Sequence, residues 1–109
     1  MATIREYVDA SGRSSFAKWF ESLNSVAAAK VTTALIRMEQ GNFSNTKGVG
    51  AGVYECRIDF GPGYRVYFGK DGDTIVILLG GGMKNRQDKD ILAAQECWSD
   101  YKERKAKET

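Results

Sequence analysis

The chain predicts an α+β fold, with helices stacked on an antiparallel sheet. Three observations carry the prediction. Apolar residues recur at helical spacing in 16–23, 27–38 and 91–101. They alternate, or run without interruption, in 53–59, 64–69 and 74–79. The last three apolar runs are joined by short turn sequences, Gly61-Pro62-Gly63 and Lys70-Asp71-Gly72-Asp73, which suit antiparallel pairing.

Ile4 to Val8 opens the chain as a short strand, and Asp9 to Arg13 turns. Ser14 or Ser15 is placed to cap a helix by accepting a hydrogen bond from a free backbone N–H. Phe16, Trp19, Phe20 and Leu23 then fall at i, i+3, i+4 and i+7, one stripe of a helix, and read as core. Ser25 caps a second helix whose apolar face is Ala27, Val31, Ala34, Leu35 and Met38, with Gly41 as its stop signal. Helices joined this closely predict an antiparallel hairpin. Asn42 to Gly52 reads as a polar, glycine-rich loop carrying Lys47. Strands follow at Val53 to Asp59, Tyr64 to Gly69 and Thr74 to Leu79, a three-stranded antiparallel meander. The last is apolar at every position after Thr74 and predicts a strand covered on both faces, central in the sheet. Gly80-Gly81-Gly82 ends it and frees the chain to turn. A final helix carries the stripe Ile91, Ala94, Trp98 and Tyr101, and its charged end, Lys102 to Thr109, is expected to fray.

The 109 residues suffice for one domain with a single core, 1–109, and no repeat or linker divides them. A hydrophobic fraction of 42% and a charged fraction of 28% suit a soluble globular protein. No apolar run is long enough to span a bilayer, and the N-terminus lacks a signal-type stretch, so no membrane role and a cytoplasmic location are expected. The net charge of +2 is small, so any nucleic-acid role must come from a local patch. Cys56 and Cys97 fit no metal spacing and read as buried free thiols. The chain contains no histidine. This excludes Ser-His-Asp and Cys-His catalysis, histidine-ligated zinc and paired imidazoles as acid and base. No metal and no cofactor are expected.

Parity along the 53–68 hairpin sorts its side chains. Tyr54, Cys56 and Ile58, with Tyr64, Val66 and Phe68, share a core face. Glu55, Arg57 and Asp59, with Arg65 and Tyr67, share the opposite face, expected to meet solvent. Arginines on neighbouring strands can grip one phosphate from fixed directions. On strand pattern alone, surface ion pairs, Arg57 with Glu55 or Asp59 and Arg65 with a neighbour across the hairpin, are the favoured account of these charges.

The stretch Tyr54-Glu-Cys-Arg-Ile-Asp-Phe-Gly-Pro-Gly-Tyr-Arg-Val-Tyr-Phe68, followed by an apolar strand and Gly82-Met-Lys-Asn-Arg-Gln-Asp-Lys-Asp-Ile91, resembles the RelE/ParE toxin superfamily. It is most similar to its HigB-like addiction module killer branch. Phe16-Ala-Lys-Trp-Phe20 and the two-helix spacing extend the likeness over nearly the whole chain. The resemblance implies the toxin of a bacterial type II toxin–antitoxin pair. Many such toxins cleave messenger RNA in the ribosomal A site, without metal, whereas others inhibit DNA gyrase and cut nothing. The implied partners are a cognate antitoxin, usually a small DNA-binding protein, and the ribosome with its messenger.

By the same resemblance, Arg65, after Gly63-Tyr64, corresponds to the family's phosphate-stabilising arginine. Arg57 matches the basic residue of the preceding strand, and Lys84 the one after the last strand, with Arg86 two positions on. Two positions depart from RelE-type enzymes. Glu55 stands where they carry a basic residue, and Asp88-Lys89-Asp90-Ile91 offers no tyrosine early in the last helix. The expected chemistry is attack of a 2′-OH on the adjacent phosphorus, leaving a 2′,3′-cyclic phosphate. Arg57 and Arg65 are expected to neutralise the phosphorane. Lys84 is the candidate acid, and Glu55, from its parity with Arg57, the candidate base. Lys47, Arg86 and Tyr67 are candidate RNA contacts, Tyr67 by stacking on a base.

Overall fold

The computed structural model describes residues 1–108. Its elements are β1 (Thr3–Glu6), α1 (Ser15–Glu21), α2 (Ser25–Glu39), β2 (Thr46–Gly50), β3 (Val53–Ile58), β4 (Tyr64–Asp71), β5 (Ile75–Met83), a 3₁₀ turn (Lys84–Arg86) and α3 (Gln87–Lys107). The fold is α+β, as expected, with a five-stranded mixed sheet in the order β1-β5-β4-β3-β2. The expected three-stranded meander is corrected to four strands, β2 to β5, with β1 added in parallel to β5.

Local chemistry sets the helix ends. Ser14 accepts from Ala17 N at 3.0 Å and caps α1. The cap of α2 is Asn24 rather than Ser25, accepting from Ala27 N at 2.9 Å. α2 closes with Asn42 N donating to Arg37 O and Gly41 N to Met38 O, both at 2.9 Å. That is a Schellman ending, which uses the positive φ of Gly41. The helices make their main contacts with the sheet, α1 with β5 and α2 with β3 and β1.

Both faces of the sheet are buried. Phe16, Val31, Met38, Cys56, Val66, Phe68 and Leu78 form a core beneath α1 and α2. On the opposite face Tyr7, Val53, Tyr67, Ile77, Leu79, Ala94 and Trp98 form a second core beneath α3. The solvent-facing side expected for the hairpin is therefore corrected: α3 covers much of it. β5 lies between β1 and β4, inside the sheet as its composition predicts, although β4 holds the centre.

β5 also runs through the three glycines to Met83 instead of ending at Leu79. A Cβ on Gly81 would overlap the Trp19 ring, and one on Gly82 would overlap the Asp90 carboxylate. These two glycines admit close approach from opposite sides rather than a turn. The end of α3 is helical to Lys107 instead of frayed, and Thr109 lies outside the described residues. Arg104 donates to Val8 O and pairs with Asp100, and Lys105 pairs with Asp71. Among the described residues no helix is long and apolar enough to cross a membrane.

Candidate functional site

Register places the basic residues. Arg57 on β3 stands directly opposite Arg65 on β4, and Arg65 opposite Gly82 on β5. Like charges directly opposed on neighbouring strands cost stability, so their pairing is not explained by folding. The Gly61-Pro62-Gly63 turn then folds up to the start of the 3₁₀ segment, where Lys84 N donates to Gly63 O at 3.1 Å. A Cβ on Gly63 would stand 3.5 Å from Lys84 Cβ and 3.8 Å from Arg65 Nη1. Arg57, Arg65 and Lys84 thus line one shallow hollow of about 310 Å³, rimmed by Asp59, Phe60 and the glycine-proline turn. The three groups that the sequence singled out for phosphate chemistry are brought together.

Arg65 is aimed by what lies behind it. It is buried, its Nη1 donates to Tyr64 O at 3.2 Å, and its Nε lies 3.7 Å from Glu55 Oε1. Glu55 is only 1% exposed. Gln87 Nε2 donates to its Oε2 at 2.8 Å, and Lys47 Nζ lies 3.6 Å from its Oε1. Glu55 does not line the hollow. It shares the Arg57 parity, but β2 and the start of α3 enclose it, so its carboxylate holds Arg65 from behind. The carboxylate among the lining residues is Asp59, on the loop that ends β3. Sequence reasoning named Asp59 only as a partner for Arg57. Its position beside the glycine-proline turn was the available signal.

The remaining candidates are dispersed. Tyr67 is fully buried under α3, which corrects the expectation of an exposed stacking surface. Burial, and the nearby carboxylates of Glu55 and Asp90, push its phenol well above the ordinary tyrosine range. Lys47 belongs to edge strand β2, paired opposite Glu55, instead of to a flexible loop. Arg86 is exposed at the N-cap of α3 and faces a separate depression beside Asp90 and Trp19. Burial pushes the Asp90 carboxyl up, against the lowering effect of Arg86. Arg65 Nε, Tyr67 Oη and Asp90 Oδ2 are buried atoms without hydrogen-bond partners among the described residues.

Neither cysteine is in a disulfide. Cys56 is buried, and desolvation raises its thiol to about 11. Cys97 is half-buried rather than buried, and its thiol is also raised by burial. Both are protonated at neutral pH and poor nucleophiles. Among the described residues no group of three or more Cys, Asp or Glu side chains could hold a metal ion.

This arrangement defines an α+β domain with a cationic hollow at one end of a two-sided sheet. The chain is 44% identical over 81 residues to an uncharacterized protein of Haemophilus influenzae, covering 73% of this chain and 82% of the relative. It belongs to the same family as that protein. No family model matches the chain.

Proposed function

We propose that the protein is the toxin of a type II toxin–antitoxin pair, with RelE-like topology, and that it cleaves messenger RNA in the ribosomal A site. The observation that supports this reading is the shared hollow of Arg57, Arg65 and Lys84. The likeness of 54–68 and 82–91 to the HigB-like branch of the RelE/ParE superfamily supplies the substrate. A phosphodiester in the hollow meets two guanidinium groups fixed on neighbouring strands, donors that stabilise the charge gained by the phosphorane. The 2′-oxygen attacks phosphorus and its proton passes to Asp59. The bond from phosphorus to the 5′-oxygen breaks, and Lys84 protonates the departing oxygen. Products are a 2′,3′-cyclic phosphate and a 5′-hydroxyl. Glu55 is a positioning residue in this scheme, holding Arg65. The partners are the ribosome and a cognate antitoxin, and the location is cytoplasmic.

The test is to induce the protein without antitoxin and map new messenger ends within codons. Arg65→Ala is expected to lower cleavage about 10²–10³-fold, the usual loss for one transition-state donor. Because Arg65 is buried, the exposed Lys84→Ala provides a second arm with an expected loss of the same order. Undiminished cleavage in both variants overturns the mechanism.

Inhibition of DNA gyrase without cleavage is the second reading. This reading needs no aligned acid and base, and it is compatible with a first turn of α3, Gln87 to Asp90, that carries no tyrosine. A DNA-damage response with intact messengers would select it.

A further inference from the structure

A second concavity adjoins the hollow. A groove of about 360 Å³ runs between α2, the 42–46 segment and the end of β3. Arg57, Asp59 and Phe60 line both it and the hollow, so the two adjoin. Lys30 and Arg37 line it from one face of α2, about two turns apart, and Met38 forms part of an apolar floor. Neither Lys30, Arg37 nor Arg57 has a carboxylate within ion-pair distance among the described residues. A protein of net charge +2 thus gathers three unpaired cations around one groove.

The walls are preformed. Ser44 N donates to the Asn42 side chain at 3.0 Å, Thr46 Oγ1 to Phe43 O at 2.7 Å, and Arg57 N to Asn45 O at 3.0 Å. Lys30 Nζ lies 5.3 Å from the centre of the half-buried Phe60 ring, at the junction with the hollow. Exposed cations, an aromatic ring and amide side chains over an apolar floor match a nucleotide: phosphate, base face and base edge. We propose that this groove binds the nucleotide of single-stranded RNA that adjoins the phosphate held by Arg57, Arg65 and Lys84. The inference rests on the RNA-directed reading of the hollow but not on cleavage there.

The probe is a short fluorescein-labelled single strand of 2′-O-methyl RNA, which lacks the attacking hydroxyl, followed by anisotropy over a salt series. The double variant Lys30→Ala, Arg37→Ala is expected to weaken binding about tenfold. It should also flatten the log–log salt slope by about 1.4, at roughly 0.7 per phosphate contact of a single strand. Thr33→Glu, an exposed helical position on the groove wall, places a carboxylate there without removing a cation and should weaken binding several-fold. Lys107→Ala, at the far end of α3, should change neither quantity. Thermal melts identify any variant that has lost its fold. Unaltered binding in both groove variants overturns the proposal, as does failure of the parent chain to bind the strand, or equal displacement by a duplex of the same sequence. Weakened binding in the variants of a protein that cuts no messenger sustains the groove and removes only the nuclease.

Discussion

Arg65 and Asp90 show how single residues acquire their roles from what covers them. The arginine is buried yet reaches a solvent-facing hollow, because Glu55 and Tyr64 O hold its guanidinium from behind. Asp90 presses against the backbone at Gly82, and its Oδ2 finds no hydrogen-bond partner among the described residues. Burial raises its carboxyl above the unfolded value, so folding disfavours the charged form. That penalty is absent in acid and grows as pH rises through the ordinary carboxylate range near pH 3.9. Asp90→Asn should therefore raise Tm at pH 7 by roughly 2–4 °C, with the gain shrinking below about pH 4, as read from melts across pH. Arg57, Arg65 and Lys84 were legible from sequence as a set. The burial of Glu55 and Tyr67 was not, because parity tells which residues share a face but not what lies over it. Val53 and Tyr67, apolar or aromatic on the face assigned to solvent, were the signal that α3 would sit there.

At the scale of elements, β2 is the strand that sequence reasoning missed. Thr46-Lys-Gly-Val-Gly50 has two glycines and little apolar alternation, so propensity reads a loop. The strand exists because β3 offers it an edge, with Lys47 opposite Glu55 and Gly48 opposite Tyr54. Pairing of that kind is a tertiary fact. α3 was legible from its stripe, but its partner face was not. Gly69 shows the fit: a Cβ there would come within 2.5 Å of the Trp98 ring. The start of α2 is set by a single side chain. Asn24→Ala should cost about 1 kcal/mol, with a lower denaturant midpoint and an unchanged m-value, whereas Ser25→Ala should be close to neutral.

At the scale of the whole molecule, the docking of α3 across the sheet ties distant parts of the chain together. Tyr7 Oη donates to Asp100 at 2.6 Å, and Tyr101 Oη donates to Asp71 at 2.5 Å. Burial first, then these bonds to carboxylates, push both phenols up to about 12. A raised folded value favours the neutral phenol, so this stabilisation is complete below the unfolded value near pH 10 and lost as pH climbs towards about 12. Denaturation series from pH 8 upward should show a steep alkaline loss of stability. Tyr7→Phe with Tyr101→Phe should flatten that loss and lower stability at pH 8 by about 1 kcal/mol for each bond removed.

Thr3 to Glu6 lie alongside Ile75 to Leu78, and Val8 is gripped by Arg104. These residues thus wait for partners that are synthesised long after them. Such long-range pairing slows folding, because the loop between the partners must close before the contacts form. A nascent chain halted before residue 75 lacks the seat for its opening strand, and one halted before residue 87 has not yet acquired the helix that shuts Glu55 away.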